Sequence, residues 1–368
     1  MSARPADAAI DAVAVIVPNY NKSKTLAACL DAIYAQTHPP TEVIVVDDHS
    51  TDDSPDIARQ YPCTLIQQPT NQGPAAARNT GAHHSTAPLL FFVDSDTAPA
   101  PDAIANALHI LHTTPHTGMV QGIYAPHPLY DDGPVEAYRV AFEHFWRKRS
   151  VGRDTGALLA ASLVPRAVFE EAGGLDERLR SGEDDEFGTR LPARYRLVAT
   201  DRVLTRHDDV DRLLPLLAEQ FVRASAKPPL MVRTWRRQRA GAAGARVEMM
   251  SPERYRHLEW SARLSLLAAG LALLTVPVAP LAPWLALTWP AFGAVLAAAN
   301  HEFLRFAHRL RGPRFALFAA GMHVLSHAAL VAGLVAGLPR AGYALLREPT
   351  RDRVEADRTA ADRAGVRR

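Results

Sequence analysis

The residues best suited to chemistry close an apolar run: Leu89-Leu90-Phe91-Phe92-Val93 ends abruptly in Asp94-Ser95-Asp96. Side chains alternate along an extended chain, so Asp94 and Asp96 can point to the same side and share one hard cation through oxygen ligands. That cation could neutralise a diphosphate. Alone, Asp-Ser-Asp after a strand is better read as a solvated turn. Other acids in the chain shift the balance. Glu42-Val43-Ile44-Val45-Val46 also runs into carboxylates, Asp47-Asp48, and Gly182 is followed by Glu183-Asp184-Asp185-Glu186 at the expected start of a helix. A carboxylate within reach of a hydroxyl can act as general base. Negative charge at a helix N-terminus is also favourable in its own right, which is the competing account of Asp185 and Glu186.

These acids need strands and helices to bring them together. Unbroken apolar runs bounded by turn residues are what strands buried on both faces look like, and open α/β sheets bind ligands outside the carboxyl ends of their strands. Ala12 to Val17 is such a run, stopped by Pro18-Asn19-Tyr20-Asn21, and a helix is expected from Ser23 to Gln36 with Leu26, Cys29, Leu30 and Ile33 on one face. After the strand at 42–46, Ser50-Thr51-Asp52 should cap a short helix through Ile57. Cys63 to Ile66 reads as a weaker strand, and Asn71-Gln72-Gly73-Pro74 turns into a helix from Ala75 to Ala82 carrying Arg78 and Asn79. This alternation implies a right-handed, mostly parallel α/β sheet. Asp48 and Asp94 then converge on one sheet edge by topology, while Asp47, facing the other way, reads as a capping or turn residue.

Composition narrows the class. The chain has 368 residues, 48% hydrophobic and 22% charged, enough for a large folded core. Its net charge of +2 and the lack of aromatic-interleaved basic motifs give no case for nucleic acid as a partner. Cys29 and Cys63 lack metal-ligand spacing and read as buried thiols in a reducing compartment. The first twenty residues do not follow the secretory-signal pattern. His83, His84, His109, His112 and His116 have no ligand-spaced partners, and His323 and His327 lack the glutamate of a zincin motif.

Taken together, Val15-Ile16-Val17-Pro18-Asn19-Tyr20-Asn21, Glu42 to Asp52, Asn71 to Asn79 and Asp94-Ser95-Asp96 resemble the ordered motifs of family 2 glycosyltransferases, which have the GT-A fold. Gly156-Ala157-Leu158, Val164 to Asp176 and Glu183-Asp184-Asp185 resemble the acceptor-side half of that fold, so the likeness covers Val13 to Arg223. It implies a nucleoside diphosphate sugar as donor, with UDP-sugars favoured. Pro18, Tyr20 and Asn21 would lie at the base, Asp48 would bond base or ribose, Arg78 would lie near the nucleotide, and Asp94 and Ser95 would contact the donor. Tyr20 could equally be a half-buried packing aromatic. Asp96, helped by Asp94 and His207, would hold Mn²⁺ or Mg²⁺, and Asp184 matches the general base. A single base suits inversion, because retention through a covalent intermediate would need a second carboxylate as nucleophile. Gln220-Phe221-Val222-Arg223 resembles the start of the Gln-x-x-Arg-Trp signature of processive synthases, but Ala224 replaces Trp, which favours single-sugar transfer.

Beyond Leu230 the composition changes. Arg233, Arg236, Arg237, Arg239 and Arg246 form a basic linker; Leu264 to Ala299 is nearly uncharged but carries Pro277, Pro280, Pro283, Pro290, Trp284 and Trp289. A second uncharged segment, Phe315 to Leu338, would reach roughly 36 Å as a helix, against a hydrocarbon core of about 30 Å. Membrane attachment is expected, yet basic residues flank every apolar segment: the linker, then Arg305, Arg309, Arg311 and Arg314, then Arg340, Arg347, Arg351 and Arg353. The positive-inside rule places all three groups in the cytoplasm, which a hairpin plus an interfacial segment satisfies and three full spans do not.

The expected organisation is a tail at 1–11, a GT-A domain at 12–225 (donor half 12–117, acceptor half 118–225), a linker at 226–262, membrane helices at 263–340 and a charged tail at 341–368. The expected function is a metal-dependent inverting glycosyltransferase at the cytoplasmic face of the inner membrane. It would act on a glycan, lipid-linked or small-molecule acceptor and contact membrane lipids. The alternatives are a polyprenyl-phosphate sugar synthase and a catalytically silent membrane scaffold.

Overall fold

The computed structural model describes residues 11–152, 156–180, 182–239, 260–275, 282 and 288–347. Arg246, Pro277, Pro280, Pro283, Trp284 and the tail beyond residue 347 lie outside the described residues. The chain divides into two units, Met1–Asp211 and Arg212–Arg368, so the break falls inside the expected 12–225 domain.

The first unit is built on one sheet. Strands β1 (Val13–Asn19), β2 (Glu42–Asp47), β3 (Thr64–Gln67), β4 (Leu89–Val93), β5 (Thr97–Pro99), β6 (Thr117–Tyr124), β7 (Ala161–Pro165) and β8 (Arg196–His207) lie in the order β3-β2-β1-β4-β7-β6-β8-β5. Strands β3, β2, β1 and β4 are mutually parallel, as the strand–helix alternation predicts. The second half differs: β7 is antiparallel to both β4 and β6, and β5 is antiparallel to β8, so the sheet is mixed. The reason is connectivity. Between β4 and β7 the chain makes β5 and β6 farther along the sheet and returns from the far side, so β7 enters in the opposite sense.

Alternation along β1 and β4 accounts for their unbroken apolar runs. Val15 and Phe91 point into one core with Leu30, Ile33 and Ile104, whereas Ile16 and Phe92 point into the other with Leu159, Phe169 and Phe187. Helix α1 (Leu26–Tyr34) buries Leu26, Cys29, Leu30 and Ile33 on one face, the stripe its spacing predicts. It starts later than expected because Lys22 to Thr25 forms a turn closed on the Lys22 carbonyl. Helices α2 (Ser54–Ala58), α3 (Pro74–His84), α4 (Ala103–Thr113), α5 (Pro134–Ser150), α6 (Arg166–Glu171) and α7 (Glu183–Arg190) complete the unit. Both cysteines are free thiols, Cys29 buried and Cys63 partly so.

The second unit is helical among the described residues: α8 (Leu213–Arg239), α9 (Trp260–Thr275), α10 (Thr288–Ala299), α11 (His301–Arg311) and α12 (Pro313–Arg347). The start of the expected linker is therefore helix, continuous through Arg239 despite Pro228 and Pro229. By length and composition, one described helix could cross a membrane, at Pro313–Leu346.

Candidate active site

The strand order reverses at β1, whose neighbours are β2 and β4, and a crevice outside the carboxyl ends of these strands is where such sheets bind ligands. The loops there are tied down by polar side chains. Asn19, at the end of β1, is buried and donates to Asp47 Oδ1 and Ser54 Oγ, both at 2.9 Å. Asn21 takes a left-handed backbone conformation, φ 52°, and its Oδ1 accepts from the Thr51 amide at 2.7 Å. Asp52 Oδ2 accepts from the Ser23 amide at 2.8 Å. Asp48, also buried, accepts from the amides of Gln72 and Gly73 at 2.6 and 2.7 Å, which fixes the start of α3. Pro18 lies within β1 beside Val46, and Tyr20, in the loop that follows, is 46% exposed.

Arg78 is the centre of the site. Projecting from α3 and 5% exposed, it donates through Nη2 to Asp94 Oδ1 and through Nη1 to Glu183 Oε1, each at 2.6 Å. Burial opposes its charge, but the two carboxylates outweigh that and hold it protonated. One guanidinium thus joins the acid that ends β4 to the acid that opens α7, 89 residues apart by number (183 − 94). Next to Glu183 lies Asp184, whose Oδ1 accepts from the Asp185 amide at 2.8 Å. Burial, then the charges of Asp185 and Glu183, push its carboxyl up to about 6. Glu186 is turned away and pairs with Arg190 at 2.7 Å.

Asp94 and Asp96 do not act as an alternating pair. The chain turns at Asp94, whose carbonyl accepts from the Thr97 amide at 3.0 Å, and the two side chains take different partners. Buried Ser95 uses its carbonyl to accept from Thr25 Oγ1 at 2.9 Å. Asp96 Oδ2 is 2.7 Å from Lys22 Nζ, and its Oδ1 faces His207 Nε2 at 3.8 Å. His207 ends β8, with Nδ1 3.4 Å from Asp209 Oδ2 and its ring stacked on Tyr124 at 4.6 Å; Arg147 covers Tyr124 at 4.8 Å. Burial would lower the His207 pKa, but Asp209 and Asp96 raise it to about 10. Burial raises the Asp96 carboxyl, but His207 and Lys22 outweigh it and hold the group well below the usual range.

This donor set fits a divalent cation. Carboxylate oxygens with one imidazole suit Mn²⁺ or Mg²⁺, and an imidazole backed at its other nitrogen by a carboxylate is the arrangement metal-bound histidines adopt. Lys22 shows that a cation sits well against Asp96, and Arg78 engages only Oδ1 of Asp94. Among the described residues, the acids whose oxygens lie within 4.8 Å of one another are instead Asp132, Glu136 and Asp208. Lys24 sits among them, 2.5 Å from Asp132 and 2.7 Å from Asp208.

The structure therefore gathers Arg78, Asp94 and the Glu183-Asp184 pair in one cluster, and Asp96 with His207 in another reached through the same Asp94-Ser95-Asp96 turn. Lys22, Asp209 and Tyr124 belong to these clusters although their types and spacing did not single them out, and Glu183 had entered only as the neighbour of Asp184. Lys22 could have been found from its place in the loop after β1, and Asp209 from its position two residues beyond His207. The pairing of Glu183 with Arg78 and the stacking of Tyr124 on His207 are long-range contacts that leave no local pattern.

A sheet reversing at β1, with carboxylates closing adjacent strands and a second acidic motif pinned beside them, defines a GT-A type α/β domain. Residues 14–148 match the family model described as glycosyl transferase family 2. An uncharacterized glycosyltransferase of Haemophilus influenzae is 30% identical over 188 residues, covering 49% of this chain and 61% of its own length. Glycosyltransferase AglE of Haloferax volcanii is 30% identical over 204 residues, 53% of this chain and 66% of its own. The mannosyltransferase PcManGT from Pyrobaculum calidifontis, solved with GDP-Man and Mn²⁺, superposes with a TM-score of 0.51 at 25% identity, covering 89% of this chain and 86% of that one. The protein matches glycosyltransferase family 2 over residues 14–148. It spans about three fifths to two thirds of the length of these two curated relatives.

Proposed function

We propose that the protein moves a sugar from a nucleoside diphosphate sugar to an acceptor hydroxyl with inversion, one sugar at a time, while attached to the cytoplasmic face of the inner membrane. One observation carries this reading: buried Arg78 ties Asp94 of the donor-side motif to Glu183, the residue before the matching general base. That strut sets Asp184 beside the donor motif rather than on a separate surface. Asp184 would take the proton from the acceptor hydroxyl, and its raised pKa makes it a better base at neutral pH than an ordinary carboxylate. Asp96 and His207, with Asp94, would hold a divalent cation, which when bound offsets the charge that grows on the leaving diphosphate. Lys22 beside Asp96 adds positive charge on the same side.

Two features support single transfer at a membrane. Ala224, where the processive signature has Trp, is buried in the second unit and leaves no room for an indole. The same unit exposes Leu267 at 60%, Leu274 at 70% and Leu317 at 77%, an apolar surface that lipid would cover. GDP-Man is bound by one solved relative, so guanosine donors belong in the test beside the favoured UDP-sugars. The test is a thermal-shift panel of UDP-, GDP- and dTDP-sugars with and without Mn²⁺, followed by proton NMR of the anomeric configuration of the product. A Mn²⁺-dependent shift and an inverted anomer are expected. No shift with any donor, or a retained anomer, would overturn the reading.

A further inference from the structure

The long apolar helix α12 is lined by charged helices over most of its length. After Gly312, whose φ of 85° lets the chain reverse, α11 folds back on α12, and Phe303 stacks on His323 at 5.4 Å. Phe303 and Ala307 are buried in this hairpin, so α11 turns its other face outward, with Arg305, His308 and Arg309 exposed. The first part of α12 thus runs beside a basic surface.

Farther along, α12 meets α8. A Cβ on Gly333 would strike the Phe221 carbonyl and lie 2.8 Å from Ala224, and one on Gly337 would strike the Ser225 carbonyl and lie 2.9 Å from Pro228. These two glycines, spaced four apart, let the backbones touch, and the contact advances in the same direction on both helices. Helix α8 therefore runs parallel to the second part of α12, with Arg223 and Lys227 exposed on its outer face. The contact with α11 at His323 and the contact with α8 at Gly333 are only ten residues apart on α12. At about 1.5 Å per residue that is roughly 15 Å, half the hydrocarbon thickness of about 30 Å. Crossing would drag exposed arginines and a lysine into lipid.

Besides α12 itself, which exposes Leu317, Val335 and Leu338, a hairpin carries apolar surface. Helices α9 and α10 are antiparallel, joined by Trp289 Nε1 donating to Thr275 Oγ1 at 2.8 Å and Asn300 Nδ2 donating to Ser265 Oγ at 2.6 Å. Leu267, Leu271 and Leu274 are exposed on α9, and Trp289 and Val295 on α10. The hairpin also forms, with Val324, Leu325 and Ala328 of α12, an apolar cavity of about 340 Å³. Its polar Ser265–Asn300 end runs directly into basic α11.

From this arrangement we infer that the membrane anchor is one-sided: the α9–α10 hairpin enters the acyl chains of a phospholipid bilayer, while α12 stays at the face it entered from and does not cross. The exposed cations of α8 and α11 then lie at headgroup level, where anionic lipid attracts them. This also resolves the basic residues that flank the apolar segments among the described residues, since Arg305, Arg309, Arg314 and Arg340 would remain on one face. The inference rests on the proposed membrane attachment, and the experiment separates the two.

Arg314 and Leu346 are both exposed, one near each end of α12. Single cysteines, Arg314→Cys and Leu346→Cys, are placed in full-length protein carrying Cys29→Ser and Cys63→Ser. Each variant is labelled with a membrane-impermeant maleimide in right-side-out and in inside-out vesicles. Both sites are expected to label from the same face, with at least tenfold less label from the other. Labelling from opposite faces would overturn the one-sided anchor and leave membrane attachment standing. Recovery of the unlabelled parent protein in the soluble fraction would overturn the attachment itself. Nucleotide-sugar binding verifies that each variant is folded.

Discussion

If Asp184 is the proton acceptor, lowering the pH should switch the enzyme off well above the range of an ordinary carboxylate. Burial and the neighbouring charges of Asp185 and Glu183 raise its pKa from 3.8 to about 6. At pH 5 a group with that pKa is about one tenth ionised, whereas at its ordinary value it would be more than nine tenths ionised. Turnover with saturating donor should therefore fall about tenfold between pH 7.5 and pH 5. Asp185→Asn removes the largest charge contribution and should move the acid limb to lower pH, while burial keeps it above the ordinary value. The same shift bears on stability. A folded pKa above the unfolded one means the native state holds this proton more tightly, so its contribution is full below about pH 4 and is lost as pH rises through about 6. A shift of about two units (6 − 3.8) corresponds to about 3 kcal/mol at most, less for a carboxyl that is partly exposed. At pH 7.5, Asp184→Asn should accordingly be more stable than the parent by about 1–3 kcal/mol in urea unfolding. The assay for the first part is release of nucleoside diphosphate from pH 4.5 to 8. A rate that stays flat down to pH 5, or an acid limb that Asp185→Asn leaves in place, would refute the reasoning.

Arg78→Met should destabilise the protein by about 3–5 kcal/mol, because it leaves Glu183 buried without its partner. Adding Glu183→Gln should recover much of that loss in denaturant unfolding, and a single variant costing under about 1 kcal/mol would contradict the strut. Asp209→Asn should weaken Mn²⁺ binding in calorimetry about tenfold or more, because His207 loses the carboxylate that faces its Nδ1. Unchanged affinity against a parent that does bind Mn²⁺ would remove Asp209 from that role.

The donor half was legible in the sequence because its signals are local. Apolar runs at 13–17, 42–46 and 89–93, each ending at turn residues or acids, became β1, β2 and β4, and topology alone placed Asp48 and Asp94 on one edge. The geometry of Asp94 and Asp96 was not legible by alternation, because alternation holds only while the chain is extended. The turn at Asp94 sends one carboxylate to Arg78 and the other to Lys22 and His207. Arg78 was picked out by motif, but its two partners lie 16 and 105 residues away, a distance over which spacing carries no information. Asp48 was expected to meet the donor; that its two oxygens also accept from the amides of the loop before α3 was not legible, because the two segments are more than twenty residues apart. In the second unit, apolar composition suggested a helix long enough to span at 315–338, and such a helix is present at Pro313–Leu346; which helices pack beside it could not be read from composition.

The most direct test of the account is a paired measurement on Asp184→Asn: donor affinity by calorimetry with Mn²⁺, and turnover with the same nucleotide sugar. The account predicts affinity within about twofold of the parent and turnover reduced by about 10²–10⁴-fold, the contribution expected of a positioned base. Turnover within about threefold of the parent, with the donor bound equally well, would contradict it.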